Sequence, residues 1–126
     1  MAVDPRGDGL RQFLIEDPGG PVVMLNLLRW RREDPEAGRR SYRRYTEAFG
    51  ALSGRFGAEV VYAGTGLTAL VAEAGQAWDA VLLVRYPTRE SFSKMVADPD
   101  YQKIAHLRSE ALEEAVLQPT KEWGIA

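Results

Sequence analysis

Residues Trp78 to Gln118 constrain the fold more than any other stretch, because start and stop signals follow one another almost without a gap. Trp78-Asp79-Ala80-Val81-Leu82-Leu83-Val84-Arg85-Tyr86 reads as a strand. Pro87 stops it, since proline has no N–H to give to a ladder. Thr88 is placed to cap a helix reaching Ala97. Asp98-Pro99-Asp100 then starts another helix. Asp98 caps it, Pro99 takes the first helical position, and Asp100 lies at the positive end of the helix dipole. This second helix is expected to run from about Pro99 to Ala115, with Leu117-Gln118-Pro119 closing a short last strand.

The upstream half follows the same grammar. Residues 8–16 form a short amphipathic helix with Leu10, Phe13 and Leu14 on one side, ended by Asp17-Pro18-Gly19-Gly20-Pro21. Val22 to Leu28 is apolar at nearly every position, as in a strand covered on both faces, and Asn26 is the exception. Asp34-Pro35-Glu36 opens a helix whose stripe is Tyr42, Tyr45, Phe49, Leu52 and Phe56, a spacing no strand can produce. Gly54 and Gly57 end it. Glu59 to Tyr62 begins a second strand, interrupted by Gly64, Gly66 and Gly75, where a bulge or a close backbone approach is expected. Ala72 to Ala77 leads through a hairpin region into the strand at Trp78.

The order is a helix, then β-α-β, then β-α-β, which is the split or ferredoxin-like order. The fold class is therefore α+β: a four-stranded antiparallel sheet with helices on one face, an extra N-terminal helix and a split second helix. One domain is expected over residues 21–120, with a helical extension at 1–20 and a tail at 121–126. Val22, Met24 and Leu28 lie on one side of the first strand, and Val23, Leu25 and Leu27 on the other. One set meets the helices. The other has no partner within the chain, and a symmetric homodimer is the usual cover for such a face.

Composition removes whole classes of chemistry. The absence of cysteine excludes disulfides, thiol nucleophiles and cysteine-ligated metal sites, and suits a cytoplasmic protein. No basic segment followed by an apolar core opens the chain, so no signal peptide is expected, and the apolar runs are too short to span a bilayer. A net charge of −2 gives no drive toward nucleic acid. A single histidine cannot build a histidine-rich metal site in one subunit. Gly64-Thr65-Gly66 lacks the third glycine and the strand-to-helix setting of a phosphate loop. Nothing puts a serine beside His106 for a nucleophilic triad. Arg29, Arg31, Arg32, Arg39, Arg40, Arg43 and Arg44 stand against Glu33, Asp34 and Glu36, which leaves that segment basic and the rest acidic. It reads as a solvated face or as a docking patch for an anion.

Two motifs carry a family resemblance. Pro21-Val22-Val23-Met24-Leu25-Asn26-Leu27-Leu28 resembles the opening strand of the DUF1330 family. Tyr86-Pro87-Thr88-Arg89-Glu90-Ser91-Phe92, followed by Asp98-Pro99-Asp100-Tyr101-Gln102, resembles its second-half signature, so the similarity spans residues 21–118. The resemblance implies the dimeric α+β barrel superfamily, in which two ferredoxin-like subunits pack sheet against sheet and leave a pocket in each half. It implies no settled reaction.

Several residues stand out as candidates for chemistry. Asn26 is a polar side chain in a buried strand, either satisfied by backbone or aimed into a pocket. His106 is a surface histidine beside Glu110 or a general base. Arg85 ends a strand on the side of Val81 and Leu83. With Arg108 it would clamp a carboxylate, unless both arginines form ion pairs with nearby acids. Tyr42, Tyr45 and Phe49 form a packing stripe, and Tyr45 is also a lining candidate. Tyr62 and Trp78 each have a polar tip that wants a partner when buried. Asn26, Trp78 and His106 also resemble the Asn, Trp and His of haem-degrading monooxygenases of this superfamily, although His106 lies one helical segment too late. Asn26 and His106 are thus the catalytic candidates. Arg85, Arg108, Tyr45, Tyr62 and Trp78 are the ligand-binding ones. No cofactor or metal is expected, and the partners are a second copy of the chain and a small anionic or aromatic ligand. Two functions fit: a small-molecule enzyme with cofactor-free acid–base or oxygenating chemistry, or a non-enzymatic ligand-binding or structural dimer with an arginine-rich interaction loop.

Overall fold

The computed structural model describes residues 1–124, so the end of the expected tail, residues 125–126, lies outside the described residues. Helix α1 (Gly7–Ile15) precedes β1 (Val22–Trp30) and α2 (Pro35–Ser53), which runs into a 3₁₀ turn at Gly54–Phe56. Then come β2 (Glu59–Thr65), β3 (Ala80–Tyr86), α3 (Arg89–Ala97), α4 (Pro99–Ala111) and β4 (Leu112–Thr120). The strands lie in the order β2-β3-β1-β4, and every neighbouring pair is antiparallel. This is the ferredoxin-like arrangement.

Local chemistry starts the helices where the sequence predicts. The Asp34 carboxylate accepts from the Ala37 N–H at 3.0 Å, Thr88 Oγ1 from Ser91 at 3.0 Å, and Asp98 from Asp100 at 2.8 Å. Val22, Met24, Asn26 and Leu28 of β1 are buried under the helices, as are Ala80, Val84 and Tyr86 of β3. From α2, Tyr42, Tyr45, Phe49 and Leu52 pack down onto that face, while Phe56 is half-buried in the 3₁₀ turn. Helix α1 joins the same core: Phe13 meets Phe92 edge to face at 5.5 Å, and Arg89 covers the Phe13 ring at 4.7 Å. The opposite face carries half-buried Val23, Leu25, Leu27, Val81 and Leu83. Among the described residues no helix lies on it.

Several boundaries differ from expectation. Helix α4 stops at Ala111 rather than Ala115, and the last strand is nine residues long rather than short. Leu112 turns to extended backbone, with φ −114° and ψ 142°, and the chain from there pairs with β1 from Trp30 to Val23. Glu113-Glu114-Ala115 are good helix formers, but a full ladder with a central strand outweighs that preference. Strand β3 begins at Ala80, not Trp78, and Asp79 just before it fastens the chain to β1: its N–H donates to the Leu28 carbonyl at 2.8 Å and its carboxylate accepts from the Trp30 N–H at 2.9 Å. Strand β2 continues through Gly64, with its irregularity earlier, between Val60 and Tyr62. Gly66 is the close approach: a Cβ there would stand 2.0 Å from the Trp78 carbonyl oxygen.

Helices α2 and α4 run antiparallel in direct contact. A Cβ on Gly38 would lie 2.6 Å from the Ala111 carbonyl oxygen, which itself accepts from the Arg31 N–H at 3.1 Å. Further along, Ser41 Oγ donates to the Leu107 carbonyl at 2.7 Å. The two helices next meet through Tyr45 and Tyr101.

Candidate functional site

Sheet and helices do not close completely on each other. A cavity of about 390 Å³ remains between them. Its floor is Met24 and Asn26 of β1, Leu82 and Val84 of β3, and Leu117 of β4. Helix α2 contributes Tyr42, Tyr45 and Phe49, α3 contributes Phe92 and Met95, and α4 contributes Tyr101 and Arg108. Asp4, Pro5 and Leu10 stand over one end, and a second hollow of about 550 Å³ under α1 shares those three residues.

Polar groups converge in this mostly apolar space. Asn26 is 8% exposed, and its Nδ2 donates to the Met24 carbonyl at a long 3.3 Å. Most of its hydrogen-bonding capacity is therefore unspent. The Tyr45 and Tyr101 hydroxyls are 3.0 Å apart. The Tyr86 hydroxyl donates to the Met95 sulfur at 3.8 Å. Arg108 has a side chain only 7% exposed. Its Nη1 donates to the Val3 carbonyl at 2.7 Å and to Asp4 Oδ1 at 3.2 Å, while Nη2 is buried without an acceptor among the described residues.

Burial pushes the Tyr42 phenol up to about 12 and holds those of Tyr45 and Tyr86 well above the ordinary phenol value, with the positive charge of Arg108 pulling each partly back. In the folded state these phenols keep protons that the unfolded chain releases from pH about 10 upward. Their contribution to stability is present below that pH and is lost above it, for Tyr42 between about 10 and about 12. Denaturant unfolding across this range is expected to give a free energy that falls steeply above pH 10, with phenolate absorbance appearing together with unfolding. Complete phenolate titration near pH 10 in a chain that is still folded would contradict the buried cluster.

Of the seven candidates, the structure brings Asn26, Tyr45 and Arg108 to the cavity. His106 is exposed on α4 and does not line it. Arg85 lies on the open face of the sheet, paired with Glu59 at 3.4 Å and Glu122 at 3.3 Å. Arg85 and Arg108 are thus on opposite faces of the sheet and cannot clamp one carboxylate. Tyr62 is 55% exposed on edge strand β2. Trp78 precedes β3, with the Arg29 guanidinium 4.5 Å from its ring centre. Asn26, Trp78 and His106 therefore share no cavity, and these residues do not fit a haem.

The arginine-rich segment divides. Arg29 pairs with Glu114, Arg31 with Glu33 at 3.8 Å and Arg32 with Glu113 at 3.2 Å, whereas Arg39, Arg40, Arg43 and Arg44 are exposed on α2. No group of three or more histidine, aspartate or glutamate side chains suited to a metal ion occurs among the described residues. Asp4, Tyr86 and Tyr101 were not among the candidates. Tyr101 lies in the capped motif after Asp98, and its seven-residue spacing to Arg108 puts both on one helix face. Asp4 has no comparable signal.

A family model described as a domain of unknown function (DUF1330) matches residues 36–118. The match begins at α2, so the β1 motif lies outside it. A crystal structure of a protein of unknown function from Rhodopseudomonas palustris is 31% identical, with a TM-score of 0.88 and 98% of each chain covered. A dimeric ferredoxin-like protein of unknown function from Bacteroides fragilis is 15% identical, with a TM-score of 0.60 over 81% of this chain and 96% of the other. A hydroxynitrile lyase from Passiflora edulis is 14% identical, with a TM-score of 0.64 over 86% of this chain and all of the other, covered at 100%. These last two likenesses are of fold. No curated protein matches the chain.

Proposed function

The chain belongs to the DUF1330 family, and on that premise we propose that it is a homodimer binding a small molecule in the pocket between the sheet and the helices of each protomer. The observation that carries the pocket reading is the convergence of Asn26, the Tyr45–Tyr101 pair and Arg108 on an otherwise apolar cavity of about 390 Å³. Small-molecule sites have this composition, and they span ~300–1,000 Å³. Fold neighbours described as dimeric, together with a sheet face bearing Val23, Leu25, Leu27 and Leu83 without a helix, support the dimer. A cysteine-free chain accords with a cytoplasmic address, and among the described residues no helix is long and apolar enough to cross a membrane.

Acid–base turnover in the same pocket is the second reading. It is favoured by the Asp4 carboxylate standing beside Arg108 at the cavity's end, and by one fold neighbour being a hydroxynitrile lyase. Oxygenation of an aromatic substrate rests on fold analogy alone.

Thermal denaturation against a panel of ring-sized compounds tests the pocket. A ligand present at a hundred times its dissociation constant stabilises the native state by about 2.7 kcal/mol and raises the melting temperature. Asn26→Leu is expected to melt at or above the parent temperature, since it removes a poorly satisfied buried amide. It is also expected to lose most of the ligand-induced shift. An undiminished shift in that variant would take Asn26 out of the site, and a panel without any stabilising compound would count against the pocket.

A further inference from the structure

The guanidinium of Arg108 keeps one nitrogen, Nη2, buried without a hydrogen-bond partner among the described residues. Burying a cation is costly unless it is paired and its donors are met. Arginine meets a carboxylate best through two parallel N–H···O bonds. Here both acceptors crowd onto Nη1, the Val3 carbonyl at 2.7 Å and Asp4 Oδ1 at 3.2 Å, and Nη2 is left over. Asp4 is a poor fit for the fork because Ser109 holds it aside: Ser109 Oγ lies 3.0 Å and 2.9 Å from its two oxygens.

The segment carrying Asp4 is held at three places: Val3 packs against the core and accepts from Arg108, and Asp4 accepts from Arg108 and Ser109. Its tie to the sheet is the Ala115 N–H donating to the Ala2 carbonyl at 2.9 Å, and Ala2, Asp4, Pro5 and Arg6 are exposed. It lies across both hollows. Behind it the cavity is walled by Tyr42, Phe49, Tyr86, Phe92 and Met95, with Arg108 the one basic residue among its lining.

We propose that the pocket takes a compact organic monocarboxylate, aromatic or of similar width, whose oxyanion replaces the Asp4 carboxylate on Arg108 and engages Nη2 together with Nη1. This rests on the pocket reading above. A lone guanidinium matches one negative charge, which favours a carboxylate over a phosphate dianion. The apolar walls take the ring, and the N-terminal segment lifts as Asp4 is exchanged for the ligand.

The test is calorimetric titration at neutral pH and fixed ionic strength with benzoate, phenylacetate and 3-phenylpropionate, each beside its own amide. At least one acid is expected to bind the parent protein about tenfold or more tightly than its amide, as for a hydrogen-bonded charge. Asp4→Asn removes the competing carboxylate and is expected to widen that preference severalfold. Arg108→Lys keeps a cation but loses the two-pronged contact and is expected to reduce it severalfold; an undiminished preference in that variant overturns the proposal. Should Arg108→Lys fail to fold, Asp4→Asn decides alone: an unchanged or reduced preference for the acid overturns the proposal. Equal binding of acids and amides by the parent protein also overturns it while leaving the pocket reading intact. Binding of neither by the parent protein and by Asp4→Asn overturns it and weighs against the pocket as well.

Discussion

Gly38→Ala is expected to destabilise the protein although alanine is the better helix former. The added methyl would stand 2.6 Å from the Ala111 carbonyl oxygen and 3.3 Å from the Arg31 N–H nitrogen, and those two atoms are hydrogen-bonded to each other. Both belong to backbone, so neither can swing aside as a side-chain end could. Overpacking of this kind costs about 1–3 kcal/mol, against the ~1 kcal/mol that alanine ordinarily gains over glycine in a helix. Valine at the same position forfeits that gain and adds two more methyl groups. Gly38→Val is therefore expected to lie at the upper end of the range and to lower the melting temperature by roughly 10 °C. Gly50 is the control on the same helix, since a Cβ there meets nothing within 4 Å. Gly50→Ala is expected to stabilise by about 0.5–1 kcal/mol. Equal effects at the two positions would mean that α2 and α4 are not in backbone contact.

Leu25→Lys is expected to turn the proposed dimer into a folded monomer. Leu25 lies at the middle of the open face, on a central strand, between Leu83 and Gln118. In a free protomer a lysine there can lay its stem along the sheet and keep its ammonium in water. Across a twofold axis the same substitution confronts two buried cations without counter-charges, at a cost of several kcal/mol, or about a thousandfold or more in dissociation constant. Sedimentation at micromolar concentration should therefore find two 14.0 kDa chains together in the parent protein and one in the variant, with unchanged far-ultraviolet circular dichroism. A parent protein that sediments as a monomer would end the dimer proposal. A variant that remains dimeric would move the interface elsewhere.

The elements with local signals were legible from the residues. Asp34, Thr88 and Asp98 are caps whose partners lie two or three residues away, so a short window contains the whole interaction. The end of α4 was not legible, because Leu112 to Ala115 are extended by their pairing with β1, far off in sequence. The alternation of the strand puts Arg85 with Val81 and Leu83 but does not say which face will hold the cavity. His106 drew attention by residue type. Two residues from Arg108 on a helix, it is turned by about 200° from it, so spacing alone argued against a shared site. The contact of Asp4 with Arg108 spans 104 residues and has no sequence signal.

The backbone contact of Gly38 with Ala111 also gives α2 and α4 the mechanics of jaws riveted at one end. The rivet lies in the first turn of α2 and at the last residue of α4. Toward the other end the helices are joined by the phenol–phenol bond between Tyr45 and Tyr101, worth about 1 kcal/mol, and by Arg55 after α2, which forms solvent-facing pairs with Asp98 at 3.1 Å and Asp100 at 3.2 Å. Spreading there widens the cavity while the floor of β1 and β3 keeps its register. Girth is thus the soft dimension of the pocket and the position of its polar groups the stiff one. On the proposed ligand reading, molecules of different breadth would share it, provided each presents its polar end at the same point.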